Sequence, residues 1–145
     1  MSENFMQVAV NEAIKAGERD SVPVGAVIVF ENKIIASAGN EVLKNHDATA
    51  HAEILAIRRA CNVLQTTVLN ECDMYVTLEP CAMCAQAISL ARIRRLYFGA
   101  YDEKYGGVMH GAHVFRYALH KPEIIGGVSE TQCADILKDF FEQKR

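Results

Sequence analysis

Residues 75–84 read Tyr75-Val76-Thr77-Leu78-Glu79-Pro80-Cys81-Ala82-Met83-Cys84. The first half is aromatic and β-branched, as strands prefer, and Pro80 stops it because proline has no N–H for a sheet ladder. The second half opens a run of small residues that lasts to Ala91. Proline suits the first position of a helix, where a missing N–H costs nothing. The stretch predicts a strand over 74–78 that turns directly into a helix over 82–91.

The pattern extends in both directions. Residues 4–17 carry apolar side chains at Phe5, Val8, Ala9, Ala13, Ile14 and Ala16, a helical period that ends at Gly17. Val24 to Phe30 and Ile34 to Ala38 are β-rich, with Glu31-Asn32-Lys33 as a hairpin turn. A helix is predicted from His51 to about Val63. Downstream come a strand over 95–99, a glycine-containing loop over 100–107, a short helix near 112–119 and a strand over 123–125. Residues 131–143 close the chain as a helix with the stripe Cys133, Ile136, Leu137, Phe140 and Phe141. This order predicts an α/β fold with one sheet covered by helices on both faces. The first two strands are expected antiparallel and the later ones parallel, through right-handed crossovers. The turns after the third and fourth strands are where α/β sheets hold ligands.

Two clusters carry chemistry, His51-Ala52-Glu53 and Pro80-Cys81-Ala82-Met83-Cys84. Cys81 and Cys84 stand three apart, on one face of a first helical turn. A helix N-terminus favours thiolate over thiol. Two thiolates and a neutral imidazole balance the charge of Zn²⁺, and three protein ligands leave a fourth tetrahedral position open, as catalytic zinc sites do. Zinc lowers the pKa of its water from 15.7 to about 7. Attack on an amino-substituted ring carbon then needs one proton at the ring nitrogen and another on the departing ammonia, and Glu53 serves both. His51 and Glu53 share a site only if His51 begins its helix, since mid-helix residues two apart diverge by roughly 200°. Asp47 and Thr49 are the expected capping residues. A closed zinc knuckle needs a fourth ligand, for which the sequence offers only Cys72 or a distant histidine, and a redox Cys-x-x-Cys leaves His51 and Glu53 unexplained.

The totals agree. The 145 residues suit one domain, 1–145, with no linker or repeat, and half of them are hydrophobic. Met1-Ser2-Glu3-Asn4 has neither a basic region nor an apolar stretch behind it, so no signal peptide is expected, and no run is long enough to span a membrane. A cytoplasmic protein is expected. Of five cysteines, Cys61, Cys72 and Cys133 read as small core residues. The net charge of −3 argues against a generally basic nucleic-acid binder. Arg58-Arg59, Arg92, Arg94-Arg95 and Lys144-Arg145 are the candidates for a local basic patch, with Arg58, Arg59, Arg94 and Lys144 expected around the pocket.

The chain resembles the bacterial tRNA-specific adenosine deaminases, of the cytidine-deaminase-like superfamily, over about Phe5 to Phe141. The resemblance rests on Val22-Pro23-Val24-Gly25-Ala26-Val27, on His46 through Glu53, on Tyr75 through Cys84, on Phe98-Gly99-Ala100 and on Asp139-Phe140-Phe141. The His-x-Glu with Pro-Cys-x-x-Cys pairing is a zinc-deaminase signature. The resemblance implies a three-layer αβα fold around a central five-stranded mixed sheet. It implies hydrolysis of adenosine to inosine at the wobble position of tRNA, with an arginine tRNA of anticodon ACG as the expected substrate. One zinc per subunit would sit on His51, Cys81 and Cys84, with Glu53 catalytic. It further implies that Asn40 contacts the target nucleotide, that the backbone at Ala52 and Glu79 lines the base edge, and that Asp102 lies in a loop facing the anticodon stem-loop. The small-residue helix after Cys84 would form part of a homodimer interface.

Two positions depart from the family. Ala48 stands where proline is usual, which is expected to loosen the approach to His51. Tyr101 stands where arginine is frequent, removing a cation but offering a ring that stacks on a base. A small-molecule deaminase acting on guanine, cytosine or a nucleotide would share the zinc site, and the acidic charge favours it. Val22-Pro23-Val24 and Thr77-Leu78-Glu79 resemble the tRNA enzymes instead. A non-catalytic zinc subunit that binds RNA would typically lack the glutamate present at Glu53.

Overall fold

The computed structural model describes residues 2–144, with side chains from Phe5 onward; Arg145, one of the candidate cations, lies outside the described residues. The elements run α1 (Ser2–Glu18), β1 (Gly25–Phe30), β2 (Lys33–Gly39), α2 (Val42–Asn45), α3 (Ala52–Leu64), β3 (Cys72–Leu78), α4 (Ala82–Ala91), β4 (Arg95–Ala100), a 3₁₀ turn (Val114–Arg116), β5 (Glu123–Ile125) and α5 (Glu130–Gln143). The five strands form one mixed sheet in the order β2-β1-β3-β4-β5. β1 is antiparallel to β2 and β3, while β3, β4 and β5 are parallel.

Alternation along the strands sorts the core into two layers. Ala26, Ile28, Met74, Val76, Leu96 and Phe98 pack with Leu55, Ala56 and Ala60 of α3 and Ala85 and Ile88 of α4. Val27, Val29 and Tyr75 face the opposite side, against Met6, Ala9 and Val10 of α1 and Cys133 of α5. α5 lies so close to β4 that a Cβ on Gly99 would collide with the Cys133 side chain. Cys72 and Cys133 are buried core residues, and Cys61 packs half-buried at the edge.

The hairpin closes in two residues rather than three. Glu31 and Asn32 both have positive φ, 49° and 64°, the type I′ geometry that matches strand twist, and Lys33 already pairs with Phe30. The helix expected near 112–119 is only the 3₁₀ turn, entered through His113 at positive φ. The short α2 was not expected; it holds one turn and buries nothing. No helix among the described residues is long and apolar enough to cross a membrane.

Candidate active site

Two helix N-termini converge at the C-terminal edge of the sheet, each with a metal-type donor at its cap. His51 is the N-cap of α3 and Cys81 the N-cap of α4, both with extended backbone. His51 thus stands before the first turn, which lets Glu53 reach the same site. Asp47 and Thr49 do not cap α3. Asp47 Oδ1 instead accepts from the Thr49 N–H and hydroxyl, at 2.9 and 2.8 Å. Pro80 lies two residues before the first helical residue, Ala82, rather than at that position, because Cys81 is still extended, at ψ 175°. Its carbonyl accepts from the Gly107 N–H at 2.7 Å, tying the turn to the loop after β4.

His51 Nδ1 lies 3.6 Å from both Cys81 Sγ and Cys84 Sγ. Tetrahedral zinc with bonds of roughly 2.3 Å to sulfur and 2.0–2.1 Å to nitrogen places those atoms about 3.6 Å apart. The three donors therefore fit a zinc ion, and they are the group of metal-type ligands that converges among the described residues. The thiols hydrogen-bond each other, which pulls the Cys81 pKa down and pushes that of Cys84 up. The hydrogen bond to Cys81 also raises the His51 pKa.

Glu53 is 4 % exposed. Burial pushes its carboxyl up to about 7, and the Cys81 thiolate adds to this; its own backbone N–H, His51 and Cys84 pull the other way. A carboxyl that gains and loses a proton near neutrality suits general acid–base work.

These groups lie at one side of a cavity of about 210 Å³ whose apolar walls are Val22, Val24 and Leu78. Asn40, His51, Ala52, Glu53, Glu79, Cys81, Asp102 and Tyr105 complete it, so every site residue expected from sequence except the buried Cys84 lines this space. Asn40 is fixed by three bonds. Its N–H donates to the Val24 carbonyl, its carbonyl accepts from Arg19, and its side-chain oxygen accepts from the Val42 N–H at 2.9 Å. That last bond assigns the Asn40 oxygen and leaves the amide nitrogen to act as a donor. Asp102 does not reach out as a free acid: its Oδ1 accepts from the Lys104 and Tyr105 N–H groups, at 3.2 and 2.9 Å.

The Cytidine and deoxycytidylate deaminase zinc-binding region family matches residues 1–100. A tRNA-specific adenosine deaminase of Agrobacterium fabrum is 51% identical over 144 residues, covering 98% of this chain and 95% of the relative. The chain belongs to the tRNA-specific adenosine deaminase family. A structure solved in a study of A-to-I editing by tRNA:A34 deaminases superposes with a TM-score of 0.91 at 51% identity, covering 92% of this deaminase and 99% of that chain. The guanine deaminase of Bacillus subtilis shares 42% identity over 68% of this chain and 64% of its own, with a TM-score of 0.65.

Several sequence expectations for this deaminase change in three dimensions. Arg94 and Arg95 bind Asp73 at the N-terminal ends of β3 and β4, the opposite edge of the sheet from the cavity. Arg59 is held by the Ser37 carbonyl and Glu41, and Lys144 by Asp20. Tyr101 packs edge-on to Phe98 at 5.0 Å and to His110 at 5.9 Å and stays 41% exposed. The turn at Ala48 closes without proline, through Ala50 N–H to Asp47 O and His51 N–H to Thr49 O. Of the small residues of α4, Ala85 and Ala91 are buried in the core and Ser89 is buried with its Oγ accepting from the His120 N–H, while Ala87 is half-buried and Ala82 is exposed, as are Gln86 and Leu90. The sequence reading missed Arg19, Tyr105 and His110, since no spacing rule marks an isolated residue in a loop.

Proposed function

We propose that this chain hydrolyses adenosine to inosine at the wobble position of tRNA, with one zinc ion per chain on His51, Cys81 and Cys84. The observation that carries the reading is a buried carboxyl, Glu53, beside a three-donor metal cluster in a base-sized cavity. About 210 Å³ is below the roughly 300–1,000 Å³ usual for drug-sized ligands, and suits one ring system taken out of its stack. A neighbouring space of about 330 Å³ shares Val22, Asn40 and His51, which suits a flanking nucleotide.

Zinc held there supplies the Lewis acidity that makes water a nucleophile near neutral pH. The chain's own groups do the rest. Water oxygen bonds to C6 of the adenine ring and the C6–N bond breaks, releasing ammonia. Glu53 takes up the two protons of the attacking water in turn and passes one to the ring nitrogen and one to the leaving amine. Asn40 offers its amide N–H to the nucleotide, and Val22, Val24 and Leu78 exclude water from the ring faces. The backbone of Ala52 and Glu79 borders the base edge.

The finer reading is an arginine tRNA with anticodon ACG, in a cytoplasmic homodimer. For the dimer, the support is a largely apolar groove between α3 and α4 formed by Ile54, Ile57 and Leu90, the last 69% exposed. The test is purified protein, zinc-loaded and checked by metal analysis, with an ACG anticodon stem-loop, free adenosine, guanine and cytosine as separate substrates. Inosine in the stem-loop, with poor turnover of free adenosine, is expected, because remote contacts position the reacting ring. Turnover of guanine with none in the stem-loop would select the small-molecule reading, which the likeness to guanine deaminase favours.

A further inference from the structure

Glu79 borders the cavity through its backbone, but its side chain, 0% exposed, performs a separate task. Its Oε2 accepts from the backbone N–H groups of Val108, Met109 and His110, at 3.2, 2.8 and 3.0 Å. Its Oε1 accepts from the Asp102 N–H at 3.1 Å and contacts His110 Nδ1 at 2.8 Å. One carboxylate thus gathers both ends of the segment 102–110. Within the segment the regular hydrogen bonds are Gly106 N–H to Asp102 O and the Asp102 side-chain turn; Gly107 N–H to Pro80 O, Val114 N–H to Gly107 O and His113 N–H to His110 O tie it to its neighbours. It sends Asp102 and Tyr105 to the cavity wall. Gly106 leaves the space the carboxylate occupies, since a Cβ there would collide with Glu79 Oε2 and with the Asp102 carbonyl.

The chemistry of the donors requires an ionised acid. Four backbone N–H groups converge, with an imidazole N–H as the fifth, and only a carboxylate offers two oxygens that accept without donating. A glutamine would present its own NH₂ to one set of donors. With its oxygen on the three N–H groups of 108–110, its nitrogen would face the Asp102 N–H.

We propose that the Glu79 side chain is a positioning residue. It holds loop 102–110 in the shape that presents Asp102 and Tyr105 to the target nucleotide, so that substrate affinity depends on a carboxylate that does not itself touch the base. This rests on the deaminase reading above.

The test uses zinc-loaded full-length Glu79→Gln and His110→Ala, each checked for zinc content and thermal stability. Steady-state kinetics on the adenosine-containing stem-loop are paired with backbone amide exchange followed by NMR. Glu79→Gln is expected to keep its zinc, to speed exchange at the Asp102 amide, and to raise KM about tenfold, the worth of one hydrogen bond to a charged group. Its kcat is expected to change by less than about threefold, since the reacting groups are untouched. His110→Ala removes one of two contacts on Oε1 and leaves the backbone donors, so KM is expected to rise less, in the same direction. A fall in kcat at constant KM, or wild-type KM in both variants, would overturn the role. Should Glu79→Gln lose zinc, His110→Ala decides alone, and an unchanged KM there overturns it. A wild-type protein inactive on the stem-loop is a different failure: it removes the deaminase reading itself and this role with it.

Discussion

The floor of the cavity around Glu53 and the loop cradle around Glu79 are two regions that each bury a glutamate, and they move it in opposite directions. Glu53 is 4% exposed and Glu79 1%. Burial raises both carboxyls, and what surrounds them decides the outcome. Around Glu79, hydrogen bonds from His110 and from the Asp102, Met109 and His110 N–H groups outweigh burial and hold it below its ordinary range. Around Glu53, one backbone N–H and the site's own groups do not, and it rises to about 7. A buried carboxyl with many fixed donors is a structural anion; one with few is a proton carrier.

The largest break in the comparison is expected at Glu53. Glu53→Gln keeps the shape but not the proton, so turnover on the stem-loop is expected to fall about 10²–10⁴-fold with zinc retained. Near-normal turnover would return Glu53 to an ordinary buried acid. Glu79→Ala acts on the fold instead. Several N–H groups lose their acceptor, and with water entering to satisfy some of them the loss is about 2–4 kcal/mol, read as a drop in denaturant midpoint.

The pH dependence of the metal-free protein sharpens the contrast. Glu53 is raised, so the fold favours its protonated form. Its contribution is fully present below the ordinary value of 4.5 and is lost as pH rises through about 7. Glu53→Gln is therefore expected to flatten the stability loss across that window. Glu79 is lowered, so its contribution is present above 4.5 and is lost as pH falls through its folded value. Glu79→Gln is expected to lag behind wild type at neutral pH and converge with it in acid. Urea melts of both variants from pH 3 to 8, roughly the span of these two titrations, would show one profile in place of two if the contrast is false.

The smallest effect is expected at the other edge of the sheet. There a larger cavity, about 460 Å³, is lined by Glu71, Asp73, Arg94 and Arg95. The pair Arg94–Asp73 is bidentate, at 3.0 and 3.1 Å, with Arg94 nearly half exposed. Arg94→Ala is expected to cost less than about 1 kcal/mol and to leave KM for the stem-loop unchanged. A raised KM would place RNA on this edge after all.

The elements of the fold were legible where periodicity was strong. Strands over Val27–Val29 and Tyr75–Leu78 alternate between two apolar layers, and α5 packs Cys133, Ile136 and Leu137 of its stripe while Phe141 stays exposed, so both are largely written in local pattern. The single turn of α2 and the 3₁₀ turn at Val114 were not legible, because three or four residues carry no period. Nor was the fate of the basic residues: Arg94 looked free until Asp73, 21 residues earlier, met it across β3 and β4.

The sequence by itself determined which chemical groups the site offers. His51, Glu53, Cys81 and Cys84 are read from residue type and spacing, because metal ligation and proton transfer depend on atoms a side chain always carries. Only the tertiary structure decided how those atoms are tuned. Cys81 and His51 meet at two helix caps 30 positions apart in sequence, and two identical glutamates acquired opposite pKa shifts. A pKa is set by desolvation and by donors brought from distant segments, and Asp102 and His110 approach Glu79 only once β4 lies beside β3.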